Sequence, residues 1–263
     1  MSRALILFYL CFFLTFNFQL LTFLRNFALV MKKQRFSCLL SALLMAMMVV
    51  AQEHVVFLGD SNTWCGGDDC SVKLGWNYWV REMLKPTTCR SYARSGATWV
   101  HTSKMVRDTQ ENTARLSDNN VITNQIYRLQ DAVAAGQQAV PTLILIMAGT
   151  NDVWFRQDIL STLEHVAVDD IYLLQESYPE ARIVLVTPMQ NTKVSAELVR
   201  KAADMLEVAS IRMGTDLIDA SGSDIIDREQ ELKRPTYTRD GVHTNEAGAK
   251  RLAEHVFKHI ATQ

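Results

Sequence analysis

The chain has 263 residues, of which 48% are hydrophobic and 21% are charged, and its formal net charge is −1. This composition excludes a largely disordered protein, and the balanced charge excludes the overall basic field that attracts proteins to nucleic acid. The charges are unevenly spread, however, because residues 1–51 contain five cations and no acid. The rest of the chain is therefore mildly acidic, and we expect no nucleic-acid partner for it.

Two apolar segments, residues 4–24 and 36–51, open the chain. The second follows the basic run Met31–Arg35 and ends at the small residue Ala51, a pattern typical of a secretory signal peptide. We interpret 31–51 as that signal peptide and expect cleavage near Ala51, export to the periplasm or the cell exterior, and no stable membrane span in the mature chain.

The first apolar segment is about long enough to cross a bilayer, so a membrane anchor with two spans is the alternative for residues 1–51. It would place the basic cluster between the spans, in an unusual hairpin. We prefer to interpret residues 1–30 as an over-extended reading frame, with translation starting at Met31.

Three cysteines, Cys65, Cys70 and Cys89, lie in the expected exported part, 52–263. An oxidising compartment favours a disulfide, most simply Cys65–Cys70, or either of these residues with Cys89. A zinc site would need a second close cysteine pair beside the C-x4-C spacing, and the sequence has none. We expect no metal and no cofactor.

Short apolar runs alternate with amphipathic stretches from His54 onward. The predicted strands are His54–Leu58, a weaker Cys89–Ala93, Thr142–Met147, Arg182–Thr187 and Asp216–Asp219. The predicted helices are Ile159–Gln175, Ser195–Met213 and a final helix over Ala249–Ile260, each with apolar residues at helical spacing. The stretch Thr102–Asn120 shows no clear period and stays unassigned.

Continuous apolar strands between amphipathic helices indicate a parallel sheet with helices on both faces. No linker rich in Pro, Gly or Ser interrupts 52–263, so we expect a single α/β domain there. Such a sheet binds ligands beyond the carboxyl ends of its strands. The polar segments that follow strands, or precede the last helix, therefore point to the site: 59–62, 95–98, 149–152 and 240–243.

These segments contain the groups that an acyl-transfer site needs. Ser61 is a nucleophile once a base removes its proton, and His243 is the best-placed base. Asp240, three residues earlier in a Gly-containing turn, can accept a hydrogen bond from the imidazole and hold its tautomer. The backbone N–H groups of Ser61 and Gly96 and the side-chain amide of Asn151 can stabilise an oxyanion.

The motifs Gly59-Asp60-Ser61, Gly96, Gly149-Thr150-Asn151-Asp152 and Asp240-Gly241-Val242-His243 resemble, in order, the four blocks of the SGNH (GDSL-type) hydrolases. The resemblance spans the chain from Val55 to roughly Ile260. It implies a flavodoxin-like three-layer α/β/α fold and ester hydrolysis through an acyl-serine intermediate without a metal. It also implies that Ser61 is the nucleophile, Gly96 and Asn151 are oxyanion donors, and His243 and Asp240 complete the triad.

Each of these residues also has a simpler interpretation. Ser61 could cap a helix, Gly96 could serve only a turn, and His243 could lie on the surface before the last helix. Asp60 and Asp152 could be mistaken for the carboxylate pair of a glycosidase. We interpret those two as hydrogen-bond acceptors that fix loops.

Trp64, Trp99 and Trp154 each stand three residues after a predicted site residue, so we expect aromatic walls around a small-molecule or polysaccharide ester. Packing of these rings under the loops is the alternative. With export, we favour the removal of acetyl groups from a carbohydrate. A lysophospholipase or thioesterase, an acyltransferase, and a non-catalytic sugar-binding module on the same fold are the other functions that the sequence leaves open.

Overall fold

The computed structural model describes residues 53–102, 105–108, 113–116 and 120–261. The predictions about residues 1–51, namely the signal peptide, the start at Met31 and the cleavage near Ala51, lie outside the described residues. In the part of the chain described, no helix combines the length and the apolar character that crossing a bilayer requires.

A parallel five-stranded sheet forms the centre of the fold, which confirms the predicted α/β class. Its strands, in spatial order, are β2 (Thr88–Ser91), β1 (His54–Gly59), β5 (Leu143–Met147), β6 (Arg182–Val186) and β7 (Asp216–Ile218). Numbered along the chain, these strands run 2-1-3-4-5, the order of flavodoxin-like folds. The chain therefore reverses its winding direction between the neighbouring strands β1 and β5.

The described residues contain eight α-helices and one short 3-10 turn, and the last two helices follow the last strand. The helices are α1 (Ser61–Trp64), α2 (Trp76–Leu84), α3 (Ile122–Ala134), α4 (Thr150–Phe155), α5 (Leu163–Ser177), α6 (Ala196–Met213), α7 (Arg228–Lys233) and α8 (Glu246–Ile260). The three predicted helices correspond to α5, α6 and α8. Two begin at side-chain caps, because Ser195 accepts from the N–H of Leu198 and Asn245 from that of Gly248.

Successive strand residues point to opposite faces of the sheet, and both faces are buried. One apolar core contains Val56, Leu58 and Ile144 and is covered by α3, α5 and α6. The other contains Val55 and Phe57 and is covered by α2 and α8. Burial on both faces explains why the strands read as continuous apolar runs rather than as alternating ones.

The stretch Thr102–Asn120, unassigned from the sequence, contains a pair of short antiparallel strands, β3 (Met105–Asp108) and β4 (Thr113–Leu116). The two strands pair from Met105 opposite Leu116 to Asp108 opposite Thr113. They form a sheet of their own, outside the parallel sheet.

Candidate active site

The candidate site lies beyond the carboxyl ends of β1 and β5, where the winding direction of the sheet reverses. Ser61 follows β1 after one residue and begins α1, and Asn151 lies in the first turn of α4, just after β5. The turn after β1 requires glycine, because a Cβ on Gly59 would collide with the carbonyl oxygen of Met147. The tight turn thus directs Ser61 towards the end of the sheet.

Three predicted residues meet at this edge through side-chain hydrogen bonds. The Nε2 atom of His243 is 2.9 Å from the Oγ atom of Ser61, and its Nδ1 atom is 2.6 Å from Oδ2 of Asp240. An ionised carboxylate only accepts, so the N–H at Nδ1 donates to Asp240 and Nε2 is left to accept from the serine hydroxyl. This is the arrangement in which an imidazole can remove the proton from the serine.

Asp240 is held ionised by its own turn. Its partial burial disfavours the charge, but hydrogen bonds from the His243 ring and from the N–H groups of His243 and Val242 outweigh this and lower the pKa of Asp240 to about 2. Its Oδ1 atom accepts both N–H groups, at 2.8 Å from His243 and 3.0 Å from Val242. The carboxylate is therefore charged throughout the neutral range and oriented by the backbone.

Three groups around Ser61 can donate to an oxyanion. The N–H of Ser61 opens α1, so it lies among the helix N–H groups that have no intrahelical acceptor. Gly96 has a φ of +77°, a conformation that favours glycine, and lies on the loop after β2. The amide of Asn151 is buried and donates one hydrogen to the carbonyl oxygen of Ala97 at 2.9 Å, which leaves its second hydrogen for a substrate.

Asp60 and Asp152 are buried beneath these groups and accept hydrogen bonds from the loops, the arrangement predicted for them. Asp60 accepts from the N–H of Asn62 at 3.0 Å. Asp152 accepts from the N–H groups of Trp99, at 3.0 Å, and Val100, at 2.8 Å. Asp152 thus anchors the loop that carries Gly96 to the helix that carries Asn151.

Burial also perturbs the ionisation of this carboxylate pair. It raises the pKa of Asp60 to about 6, although the N–H of Asn62, the Thr150 hydroxyl and a charge on His243 act in the opposite direction. It raises the pKa of Asp152 to about 7, against the two N–H donors and with a further contribution from the charge of Asp60. A glycosidase-type carboxylate pair would have to reach the substrate, whereas both of these residues are fully buried.

Two residues that the sequence did not single out hold the site in place. The side-chain amide of Gln125 both accepts from the N–H of Gly59 and donates to its carbonyl oxygen, each at 2.8 Å. Glu231 is buried and accepts from the backbone N–H groups of Thr236, Tyr237 and Thr238, just before Asp240. Gln125 lies 66 positions from Gly59 on an amphipathic helix, and Glu231 lies on a short charged helix close in sequence to its partners, so neither stands out in the sequence.

The three tryptophans predicted to surround the substrate differ in their exposure. Trp99 was wrongly assigned to substrate binding, because its side chain has no exposed surface and packs in the core beside Val100. Trp64, at the end of α1, is 46% exposed, and Trp154 is half-buried beneath Phe155. The exposed ring at the end of α4 is that of Phe155, which a count of tryptophans could not reveal.

The three cysteines of the described residues are unbridged. The sulfur of Cys65 accepts a hydrogen bond from Nη2 of Arg239 at 3.2 Å. The neighbouring Cys89 thiol, together with burial, raises the pKa of the Cys70 thiol. Of the pairings left open by the sequence, Cys70–Cys89 is therefore the one in which the two side chains interact. Within the described ranges, no group of three or more His, Cys, Asp or Glu side chains is arranged to hold a metal ion.

The chain was compared with protein families and with curated proteins. The GDSL-like lipase/acylhydrolase family matches residues 57–251, well over half of the chain. A search of curated proteins found no match.

Two solved structures illustrate the shared fold. An acetyl xylan esterase, AlAXEase, aligns with a TM-score of 0.55 at 20% identity, over 78% of this chain and 98% of its own. A member of the lipolytic G-D-S-L family from Veillonella parvula aligns with a TM-score of 0.56 at 16% identity, over 80% of this chain and 98% of its own.

Proposed function

Because this chain belongs to the GDSL-like lipase/acylhydrolase family of serine ester hydrolases, we propose that it removes acyl groups, specifically acetyl groups, from a carbohydrate. The observation that carries the hydrolytic part is the continuous chain of hydrogen bonds from Ser61 through His243 to Asp240. The carbohydrate part is supported by two exposed rings: Trp64 ends the short helix that Ser61 begins, and Phe155 lines a cavity together with Gly96.

In the proposed reaction, Ser61 Oγ attacks the ester carbonyl while Nε2 of His243 takes the hydroxyl proton. The resulting imidazolium is stabilised by the ionised Asp240, which accepts its Nδ1–H. His243 then gives the proton to the leaving alcohol, and an acyl-serine remains. Water then attacks the acyl carbon while His243 takes one of its protons. The bond between that carbon and Ser61 Oγ breaks, the acid leaves, and His243 returns the proton to Oγ, which regenerates the serine hydroxyl and the neutral imidazole.

The negative charge that develops on the carbonyl oxygen is met by the N–H groups of Ser61 and Gly96 and the amide of Asn151. All three are fixed before the substrate arrives, so no reorganisation is needed when the charge forms. Removing one such donor typically raises the barrier by about 3–4 kcal/mol. Asn151 suits this task because its amide donates without adding a charge.

A sugar as the alcohol part of the ester is supported by the surroundings of the triad. Flat aromatic rings bind the C–H faces of sugars, and side-chain amides and guanidinium groups bind sugar hydroxyls. Phe155, Asn120 and Arg156 supply these groups beside Gly96. The fold-level likeness to an acetyl xylan esterase makes an acetylated polysaccharide the first substrate class to test.

Export belongs to the same proposal, since a polysaccharide substrate lies outside the cytoplasm. Its support is the basic, apolar and small-residue pattern of residues 31–51. N-terminal sequencing of protein collected from the periplasm or the medium should find a mature chain that starts near Gln52. A start far from that residue contradicts the cleavage.

The decisive assay compares three esters with the purified protein: an acetylated xylo-oligosaccharide, an aryl acetate and an aryl laurate. We expect release of acetate from the first two, slow hydrolysis of the laurate, and loss of all three activities in Ser61→Ala. Preference for the laurate would contradict an acetyl esterase and favour a lipid acylhydrolase. Added sugar acceptors that raise the yield of transferred acetyl over free acetate would favour an acyltransferase.

A further inference from the structure

A cavity of about 370 Å³ opens beside the loop that carries Gly96. It is lined by Gly96, Thr98, Asn120, Phe155 and Arg156. Its volume lies in the range of roughly 300–1,000 Å³ that small-molecule sites occupy. Because Gly96 lines the cavity and also donates to the oxyanion in the proposed reaction, a substrate bound at Ser61 has one side that reaches this space.

Phe155 forms a rigid aromatic surface on the rim of the cavity. Its ring stacks on that of Trp154, with centroids 4.5 Å apart and planes 15° from parallel, and Trp154 in turn packs against the main core. Phe155 is nevertheless 62% exposed. One face of the ring is thus supported from below, while the other meets solvent.

The other lining residues that the structure describes include two polar side chains, Asn120 and Arg156. The side-chain amide of Asn120 donates to the carbonyl oxygen of Ser95 at 3.0 Å, which fixes its position next to the Gly96 loop. Arg156 follows Phe155 directly and also lines the cavity, and its guanidinium N–H groups can act only as donors. An alkyl chain in this space would cover these polar groups without offering them hydrogen bonds.

We infer that this cavity is the subsite for a sugar ring on the alcohol side of the ester, with Phe155 as the residue that selects it by stacking. The inference rests on the proposed function. It adds that this cavity, through Phe155, is where the protein distinguishes a sugar ester from a simple ester. A sugar ring suits the lining because its C–H face carries partial positive charge, which the negative face of an aromatic ring attracts. Its hydroxyls at the same time can accept from Asn120 and Arg156.

The test compares Phe155→Ala, Phe155→Trp and wild type on an acetylated xylo-oligosaccharide and on ethyl acetate, which has no sugar ring to stack on Phe155. In Phe155→Ala, the ratio of kcat/KM for the oligosaccharide to that for ethyl acetate should fall about tenfold, mainly through KM. Phe155→Trp, which keeps a flat ring, should retain the wild-type ratio. Tyr172→Ala removes an exposed aromatic residue from α5, outside the site, and should leave both activities unchanged.

Binding provides a second measurement that does not depend on turnover. Unacetylated xylobiose should inhibit ethyl acetate hydrolysis competitively in wild type and about tenfold less strongly in Phe155→Ala. If wild type removes acetate from the oligosaccharide and Phe155→Ala keeps the wild-type ratio and inhibition, the subsite is refuted while the proposed function stands. If wild type hydrolyses ethyl acetate but no acetylated oligosaccharide, the proposed function itself is refuted.

Discussion

The side-chain oxygen of Asn62 accepts a hydrogen bond from the backbone N–H of Thr244 at 3.1 Å. Asn62 follows the candidate nucleophile, and Thr244 follows the candidate base. The two segments are therefore joined twice, once through the reacting atoms of Ser61 and His243 and once through this neighbouring pair. The second link persists while the proton moves along the first.

Removing that second link should slow the reaction without abolishing it. In Asn62→Ala we expect kcat for an aryl acetate to fall about tenfold or more, because His243 is then held less closely to Ser61. The free energy of unfolding should drop by about 1–3 kcal/mol, since the Thr244 N–H loses its buried acceptor. Asn62→Asp keeps an acceptor oxygen and is the matched control. Equal kcat in wild type and Asn62→Ala would contradict a positioning role.

Asp240→Asn should act through the tautomer of the imidazole. An amide nitrogen turned towards Nδ1 donates instead of accepting, so the proton moves to Nε2 and that atom can no longer accept from Ser61. We expect kcat to fall by about 10³ to 10⁴, with little change in melting temperature, because the side chain is half exposed. Steady-state kinetics and thermal melts check this. A loss of less than tenfold would show that His243 does not depend on Asp240.

The anchoring by Asp152 can be tested with two substitutions. Asp152→Ala leaves the N–H groups of Trp99 and Val100 without their acceptor and should release the loop that carries Gly96, lowering kcat about 10- to 100-fold. Asp152→Asn still offers an acceptor oxygen. It is neutral, as is the native side chain at pH values below its pKa of about 7, so kcat should stay within about threefold of that of wild type. A larger loss in Asp152→Asn than in Asp152→Ala would mean that the charge, not the anchoring, matters.

Asp170, on α5, should make stability depend on pH. Burial raises the pKa of Asp170 to about 8, and a hydrogen bond with the Thr123 side chain offsets only part of this. Its pKa in the unfolded chain is near 4, so between about pH 4 and pH 8 unfolding releases a proton, and stability falls as pH rises through that window.

Asp170→Asn is neutral at every pH and therefore removes the loss of stability that Asp170 causes as pH rises. Its melting temperature should exceed that of wild type by a margin that grows from about pH 5 to about pH 8.5. Asp169→Asn, at the exposed neighbouring position, should leave the pH trend of wild type in place. A margin that is constant or shrinks with rising pH would contradict an ionisation origin.

Oxidation should join Cys70 to Cys89 and leave Cys65 free. With oxidised glutathione as the oxidant, we expect mass spectrometry to find a peptide pair linked through these two residues, because the Cys89 thiol is the neighbour that most raises the pKa of Cys70. The bridge closes the segment that contains α2 and should raise the free energy of unfolding by roughly 2–4 kcal/mol. Cys89→Ser should remove both effects, and Cys65→Ser neither. A Cys65–Cys70 peptide would contradict the arrangement.

The sequence predicted the elements near the site well because their signals are local. The apolar run ending at Gly59 and the polar residues that follow it lie in one short stretch, as do the run ending at Met147 and Asn151. Their meeting follows from the general behaviour of parallel sheets.

What the sequence could not supply are contacts between remote segments and the directions of side chains. Gln125 lies 66 positions from the glycine it clamps, and an ordinary amphipathic helix pattern conceals it. Trp99 and Phe155 are both large rings close to site residues, yet one is in the core and the other in solvent. Residue type gives the affinity of a ring for apolar surroundings but not the side of the loop on which it packs.

Asp240 and His243 belong to a single turn that their own hydrogen bonds close. The positions of the acid and the base relative to each other are therefore fixed within that turn. If that turn moves as a unit, the distance from His243 to Ser61 changes, whereas the hydrogen bond between Asp240 and the imidazole stays the same. A bulky ester that displaced this turn from Ser61 would therefore leave the pair of Asp240 and His243 assembled, and only the contact between Nε2 and Oγ would have to form again.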